Sequence, residues 1–183
     1  EDKRLKKNTE ILYIYSRNRI NYDLKKPQKY IPIELYIQEH KKNNIGFYYT
    51  RIIEDFGEKK LVKTGDKINI YLHEHFKFST IKDKIKQEGL SVEEAYSKYF
   101  DKIFMVTNAQ TSLLTKVNNV ISEKEKLVSF EYTPQSGKDK GRSVSKYVWN
   151  KTLMVWFADS ASIKSNRVYK TEQIGTLWDD ISW

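Results

Sequence analysis

Apolar residues change their spacing along this chain, and that change limits the folds open to it. Between residues 79 and 121 the spacing is helical. Ser79 or Thr80 can cap a helix that carries Ile81 and Ile85 and stops at Gly89. Ser91-Val92-Glu93-Glu94 has the form of a capping box, with Ser91 at the cap and Glu94 three residues on. The helix it opens is expected to carry Tyr96, Tyr99, Phe100 and Ile103. A third helix fits Ser112 to Ile121, with Leu113, Leu114, Val117, Val120 and Ile121 along one side. From Leu127 the spacing becomes that of strands, at Leu127 to Tyr132, Tyr147 to Trp149 and Leu153 to Phe157.

The first third is mixed. Ile11 to Ser16 reads as a buried strand, and Pro32 is placed at the first position of a helix on which Ile33, Tyr36 and Ile37 share a face. That helix should end near Asn43-Asn44. Phe47 to Tyr49 and Ile52-Ile53 give a fainter strand signal. After a turn at Gly65-Asp66, Ile68 to Leu72 alternates as a strand does. The expected class is α+β: a small mixed sheet with several central helices.

Charge and composition narrow the chemistry. The chain has 183 residues, 33 Lys+Arg against 24 Asp+Glu, a net charge of +9, and 14% aromatic residues. A basic, aromatic-rich domain favours a polyanionic partner. Cysteine is absent, which excludes disulfides, thiolate catalysis and cysteine-bound zinc. No apolar run approaches the ~20 residues of a membrane span, and no secretory signal opens the sequence. A cytoplasmic protein is the expectation. The opening Glu1 and the abrupt Trp178 to Trp183 tail predict a piece cut from a longer chain.

The usual catalytic constellations fail on spacing. His73 and His75 are two apart and would share one face of a strand. Without a third ligand they read as two histidines on a wet face, and no metal is expected. Gly137 to Ser143 has three residues between its glycines and Arg before its Ser, where a phosphate-binding P-loop needs four and Lys. Glu58-Lys59-Lys60 contains the Glu-x-Lys element of metal-dependent nucleases. Its partner acid, Asp55, lies too close in the chain to reach an adjacent strand around one metal. No catalytic residue is assigned.

Three segments carry a family resemblance. Lys7 to Asn18 (KNTEILYIYSRN) resembles a strand late in the catalytic domain of β-class adenine-specific DNA methyltransferases. Tyr99 to Phe104 with Thr107 to Val117 resembles a helical stretch of the Mod subunits of type III restriction–modification systems. Gly175 to Trp183 (GTLWDDISW) resembles the segment just before their cofactor-binding half. The order of the three also matches. In that family the stretch between these landmarks is the target recognition domain. The Asp-Pro-Pro-Tyr and Phe-x-Gly-x-Gly motifs of the family are absent from this sequence.

The resemblance therefore implies a DNA sequence recognition domain from a bacterial adenine-specific (N6) methyltransferase. Residues 1–20 would be a remnant strand of the catalytic domain, 21–175 the recognition domain inserted in it, and 176–183 the start of the return. Double-stranded DNA would be the partner, and the parent would pair with a second Mod subunit and a Res helicase–nuclease subunit. S-adenosylmethionine would serve the parent, with no cofactor in this chain. An RNA or single-strand binding module that stacks bases on its tyrosines is the alternative.

Two regions are expected to touch DNA. One is the basic loop with Lys138, Lys140, Arg142, Ser143 and Lys146, where glycines allow close approach to phosphates. The other is the polar start of a helix, with Asn108, Gln110, Thr111, Ser112 and Lys116. The ordinary alternative is that Asn108 and Thr111 cap the helix and the loop is only solvated.

Overall fold

Pro32 ends the first strand and caps the first helix. It has no N–H to give to a strand ladder, and its φ of −51° and ψ of 135° suit the residue just before a helix. The computed structural model describes residues 28–65, 68–108, 112–121, 126–136 and 139–173. The strand expected at Ile11 to Ser16 lies outside them. The elements run β1 (Gln28–Pro32), α1 (Ile33–Lys42), β2 (Arg51–Asp55), β3 (Glu58–Gly65), β4 (Ile68–Glu74) and β5 (Lys77–Thr80). They continue with α2 (Ile81–Glu88), α3 (Val92–Lys98), β6 (Ile103–Thr107), α4 (Ser112–Val120) and β7 (Leu127–Tyr132). The last are β8 (Val144–Trp149), β9 (Thr152–Trp156), β10 (Ala161–Lys164) and β11 (Arg167–Gln173).

The helix signals hold. Thr80 accepts from the Asp83 N–H at 3.1 Å and caps α2, and Gly89 ends it at a φ of 65°. Both bonds of the Ser91–Glu94 capping box form on α3, at 2.7 and 3.2 Å. Two helix expectations fail. α3 stops at Lys98, a single tight turn follows at Phe100–Lys102, and Ile103 opens β6. The helical spacing from Tyr96 through Phe100 continues by chance into a strand, because Ile103 and Phe104 are fully buried in two different clusters, one on each face of the sheet. Likewise Pro32 sits one residue ahead of the helix and not inside it.

The α+β class stands, but the strands outnumber the expectation of a small mixed sheet. All described pairings are antiparallel, in a three-stranded sheet β1-β11-β10 and an eight-stranded sheet β3-β4-β7-β8-β9-β6-β2-β5. The larger sheet is a ring. β2 runs into β3 through Phe56-Gly57, and β4 runs into β5 through His75-Phe76. The two make one long antiparallel ribbon, paired from Arg51↔Thr80 to Gly65↔Ile68 with register shifts at Ile53/Asp55 and Leu61/Lys63. Both ends of the strand order are thus halves of this ribbon, and six long strands close around a common interior. Phe78 on β5 meets Trp149 on β8, ring centroids 5.2 Å apart, although three strands separate them in the sheet. The contact crosses the interior that the closed ribbon encloses.

The ribbon bends at Gly57 (φ 68°) opposite His75 (φ 59°). A Cβ on Gly57 would lie 1.8 Å from the Glu74 carbonyl oxygen, so no other residue fits there. Inside the barrel, Ile53, Phe104, Leu127 and Met154 are buried among Phe56, Phe78, Tyr147, Trp149 and Trp156. Outside, α4 lays Leu114 and Val117 on Ile70, Val128, Phe130 and Val148. On another flank, α1, α2, α3 and the small sheet enclose Ile33, Ile52, Tyr96, Ile103, Phe157 and Val168. Burying each such side chain contributes about 1.5–3 kcal/mol.

Candidate nucleic-acid interface

At one mouth of the barrel the ends of β3 and β4 at Gly65 and Ile68 stand beside the ends of β7 and β8, because Ile68 pairs with Tyr132 and Tyr132 with Val144. Between them lies an open groove of about 370 Å³ lined by Gly65, Ile68, Asn69, Glu131, Tyr132, Thr133, Gln135 and Ser143. Its side chains are largely neutral hydrogen-bonding groups around one carboxylate. The turn with Lys140 and Arg142 folds against the rim. The Gly141 N–H donates to the Pro134 carbonyl at 3.0 Å, and the Arg142 N–H to the Asp139 carbonyl at 3.1 Å. Gly141 has a φ of 75° with open space at its Cβ position, so glycine serves the backbone turn here. Lys140, Arg142 and Ser143 are exposed.

The carboxylate in the groove is held by two donors. Lys59 Nζ donates to Glu131 Oε1 at 2.6 Å, and the Tyr71 hydroxyl to Oε2 at 3.0 Å. Lys59 Nζ also stands 3.9 Å from the centre of the Tyr71 ring. The Lys59 ammonium holds the Glu131 carboxyl below its ordinary range, and Glu131 raises Lys59 in return. Deeper in the barrel, His73 is 4% exposed. Its Nε2 lies 2.8 Å from Ser129 Oγ, and its Nδ1 lies 3.1 Å from the Phe56 carbonyl. Burial lowers the His73 pKa.

The histidine pair expected on a shared wet strand face does not form: His73 is buried, and His75 is exposed as expected but off the strand. His73 points into the barrel, and His75 lies beyond β4 at the ribbon bend. The β4 pattern alone does not reveal that the face with His73 is the interior of a ring. No group of three or more metal-ligating side chains occurs among the described residues. Glu58 and Lys60 fall on β3, where Lys60 pairs with Glu74 across the ribbon.

The described parts of the two expected DNA-contacting regions are separated: the basic loop and Asn108 lie at opposite ends of the barrel. The basic loop joins β7 to β8 at the groove mouth. Asn108 is exposed just after β6, whose Thr107 pairs with Leu153 next to the β8–β9 turn at the far end. Asn118 on α4 reaches the Lys151 carbonyl of that turn at 3.3 Å. Lys116 is exposed on α4. Lys146 is half-buried opposite Phe130, on the barrel face that α4 covers. Gln110, Thr111 and Lys138 lie outside the described residues, as does the side chain of Ser112. Sequence reasoning missed Asn69, Glu131, Thr133 and Gln135. The turn signal at Gly65 and the polar run after Tyr132 marked both loops, but nothing local showed that they meet.

The fold and groove define an antiparallel barrel with a helical flank and a polar, cation-rimmed mouth. Comparison with known proteins adds a relative. Over 186 aligned residues the chain is 29% identical to the probable type III restriction-modification enzyme HindVI Mod subunit of Haemophilus influenzae. The alignment covers 100% of this chain and 25% of that subunit. The resemblance to Mod subunits therefore extends over the whole chain, which spans about a quarter of the relative's length. No family model matches the chain, and no solved structure does.

Proposed function

We propose that this chain is the DNA sequence recognition domain of an adenine-specific (N6) methyltransferase of a type III-like restriction–modification system. It binds duplex DNA and helps position the target adenine. The observation that carries this reading is the similarity of the entire chain to one quarter of a Mod subunit. The net charge of +9 supports a polyanionic partner. The strand register supports insertion in a larger chain: Gln28 pairs with Gln173, so the described chain enters and leaves side by side. Residues 1–20 and 176–183 then belong to the parent's catalytic domain and 21–175 to the inserted domain.

Contacts divide by chemistry. Lys140, Arg142 and the neighbouring Lys138 hold phosphates and set register, and neutral side chains read base edges. Asn108 at the far end and Lys116 and Lys146 on the α4 flank give further contacts, and Gln110, Thr111 and Ser112 join them as base-reading or phosphate-binding groups. The parent uses S-adenosylmethionine and assembles with a second Mod and a Res subunit. The described residues do not fit that cofactor. Their strands are all antiparallel, without the parallel strand–helix crossover whose glycine turn seats nucleotide cofactors. No methyl-transfer step is assigned to this chain.

A binding competition tests the proposal. Labelled duplex DNA is bound to the chain and challenged with unlabelled duplex, single-stranded DNA and structured RNA. Duplex is expected to compete best. Preferential displacement by single strands or RNA would replace this reading with the base-stacking module.

A further inference from the structure

We propose, resting on the DNA-recognition reading, that the groove at the barrel mouth reads an amino-bearing base edge, adenine or cytosine, through Glu131 with Asn69 and Gln135 beside it. A phosphate does not suit this groove, because Glu131 lines it and is held as a carboxylate by Lys59. A base edge with an exocyclic amine does suit it. A carboxylate has about four lone-pair sites, and Lys59 and Tyr71 occupy one on each oxygen. The Glu131 side chain is 29% exposed, so the remaining sites are open to a donor. Lys59 and Tyr71 fix the orientation of the carboxylate before DNA arrives, which lowers the ordering cost of binding.

The flanking groups match the same chemistry. Asn69 on β4 and Gln135 in the β7–β8 loop offer amide donor–acceptor pairs of the kind that bond adenine bidentately. Gln135 is exposed, with its Nε2 in a long 3.4 Å bond to the Thr133 carbonyl, and is available to a ligand. Lys140 and Arg142 stand on the turn bonded to Pro134, between groove residues Thr133 and Gln135. Cations at the rim and a carboxylate in the groove separate the two tasks: phosphates outside, a base edge inside.

Selection from a pool of randomised duplexes tests the inference with the 183-residue chain and its Glu131→Gln and Gln135→Ala variants. The unsubstituted chain is expected to enrich a motif with at least one position restricted to adenine or cytosine. In both variants, discrimination at such a position should fall by roughly tenfold, while affinity for the unselected pool stays within about twofold. Circular dichroism checks that the variants fold. Gln135→Ala lies in an exposed loop and carries the test if Glu131→Gln does not fold. Variants that enrich the same motif with undiminished discrimination overturn the groove assignment and leave the recognition domain standing. An equal loss of affinity for every sequence marks the groove as a phosphate contact and also overturns it. An unsubstituted chain that enriches no motif overturns the recognition reading itself.

Discussion

His73 is a polar side chain placed where the barrel needs both of its nitrogens satisfied. Ser129 and the Phe56 carbonyl do so, and burial keeps the ring neutral. Ser129→Ala leaves Nε2 without its partner in the interior, at a cost of about 1–3 kcal/mol measurable by urea unfolding. The pH dependence has a definite sign. The folded-state pKa of His73 lies below its ordinary 6.5, so the unfolded chain takes up the proton first. The contribution of His73 is fully present above pH 6.5 and declines as pH falls through the folded-state value. Unfolding curves between pH 8 and pH 5 should show this loss, and His73→Gln should flatten it. Identical pH slopes for the two proteins would mean that the ring titrates as freely folded as unfolded.

The ribbon formed by β2, β3, β4 and β5 is the element that closes the barrel, and its bend depends on one glycine. Gly57→Ala sets a Cβ against the Glu74 carbonyl at 1.8 Å and demands a left-handed backbone from alanine. The ribbon must shift, and a loss of at least ~1–3 kcal/mol follows in the same unfolding assay. An alanine variant of unchanged stability would show that the bend tolerates a side chain. This ribbon was half legible in the sequence. β4 alternates apolar and polar residues, as a strand with one face inward does. β3 does not, because all eight of its residues are exposed and burial imposes no period on them. β10 and β11 escaped for a related reason. Their two-residue turn at Ser165-Asn166, with φ values of 46° and 61°, has no glycine to announce it.

At the scale of the whole molecule, charge and topology govern the encounter with DNA. A chain of net charge +9 should bind duplex weakly, at roughly 10⁻⁴–10⁻⁶ M without sequence preference, with log K falling linearly against log salt. Lys140→Ala and Arg142→Ala should each reduce that slope by about 1 for all sequences alike. A flat salt response would leave the positive charge as a solvated surface only. Because the basic loop and Asn108 lie at opposite ends of the barrel, their substitutions should act independently and add.

Features that depend only on neighbours along the chain were legible before any tertiary contact. The capping box at Ser91, the αL glycine at Gly89, the apolar side of α4 and the strand spacing from Leu127 each need only a few adjacent residues, and each formed where that logic put it. The sequence also carried the charge and the family resemblance. Tertiary packing decided that β3 is a strand, that the ribbon closes a ring, that His73 faces inward, and that Gly65, Ile68 and Asn69 meet residues 131–133, Gln135 and Ser143 in one groove. Those outcomes depend on pairing between strands far apart in sequence. A strand's own alternation marks its two faces, but which face becomes the interior is fixed only when its distant partners arrive.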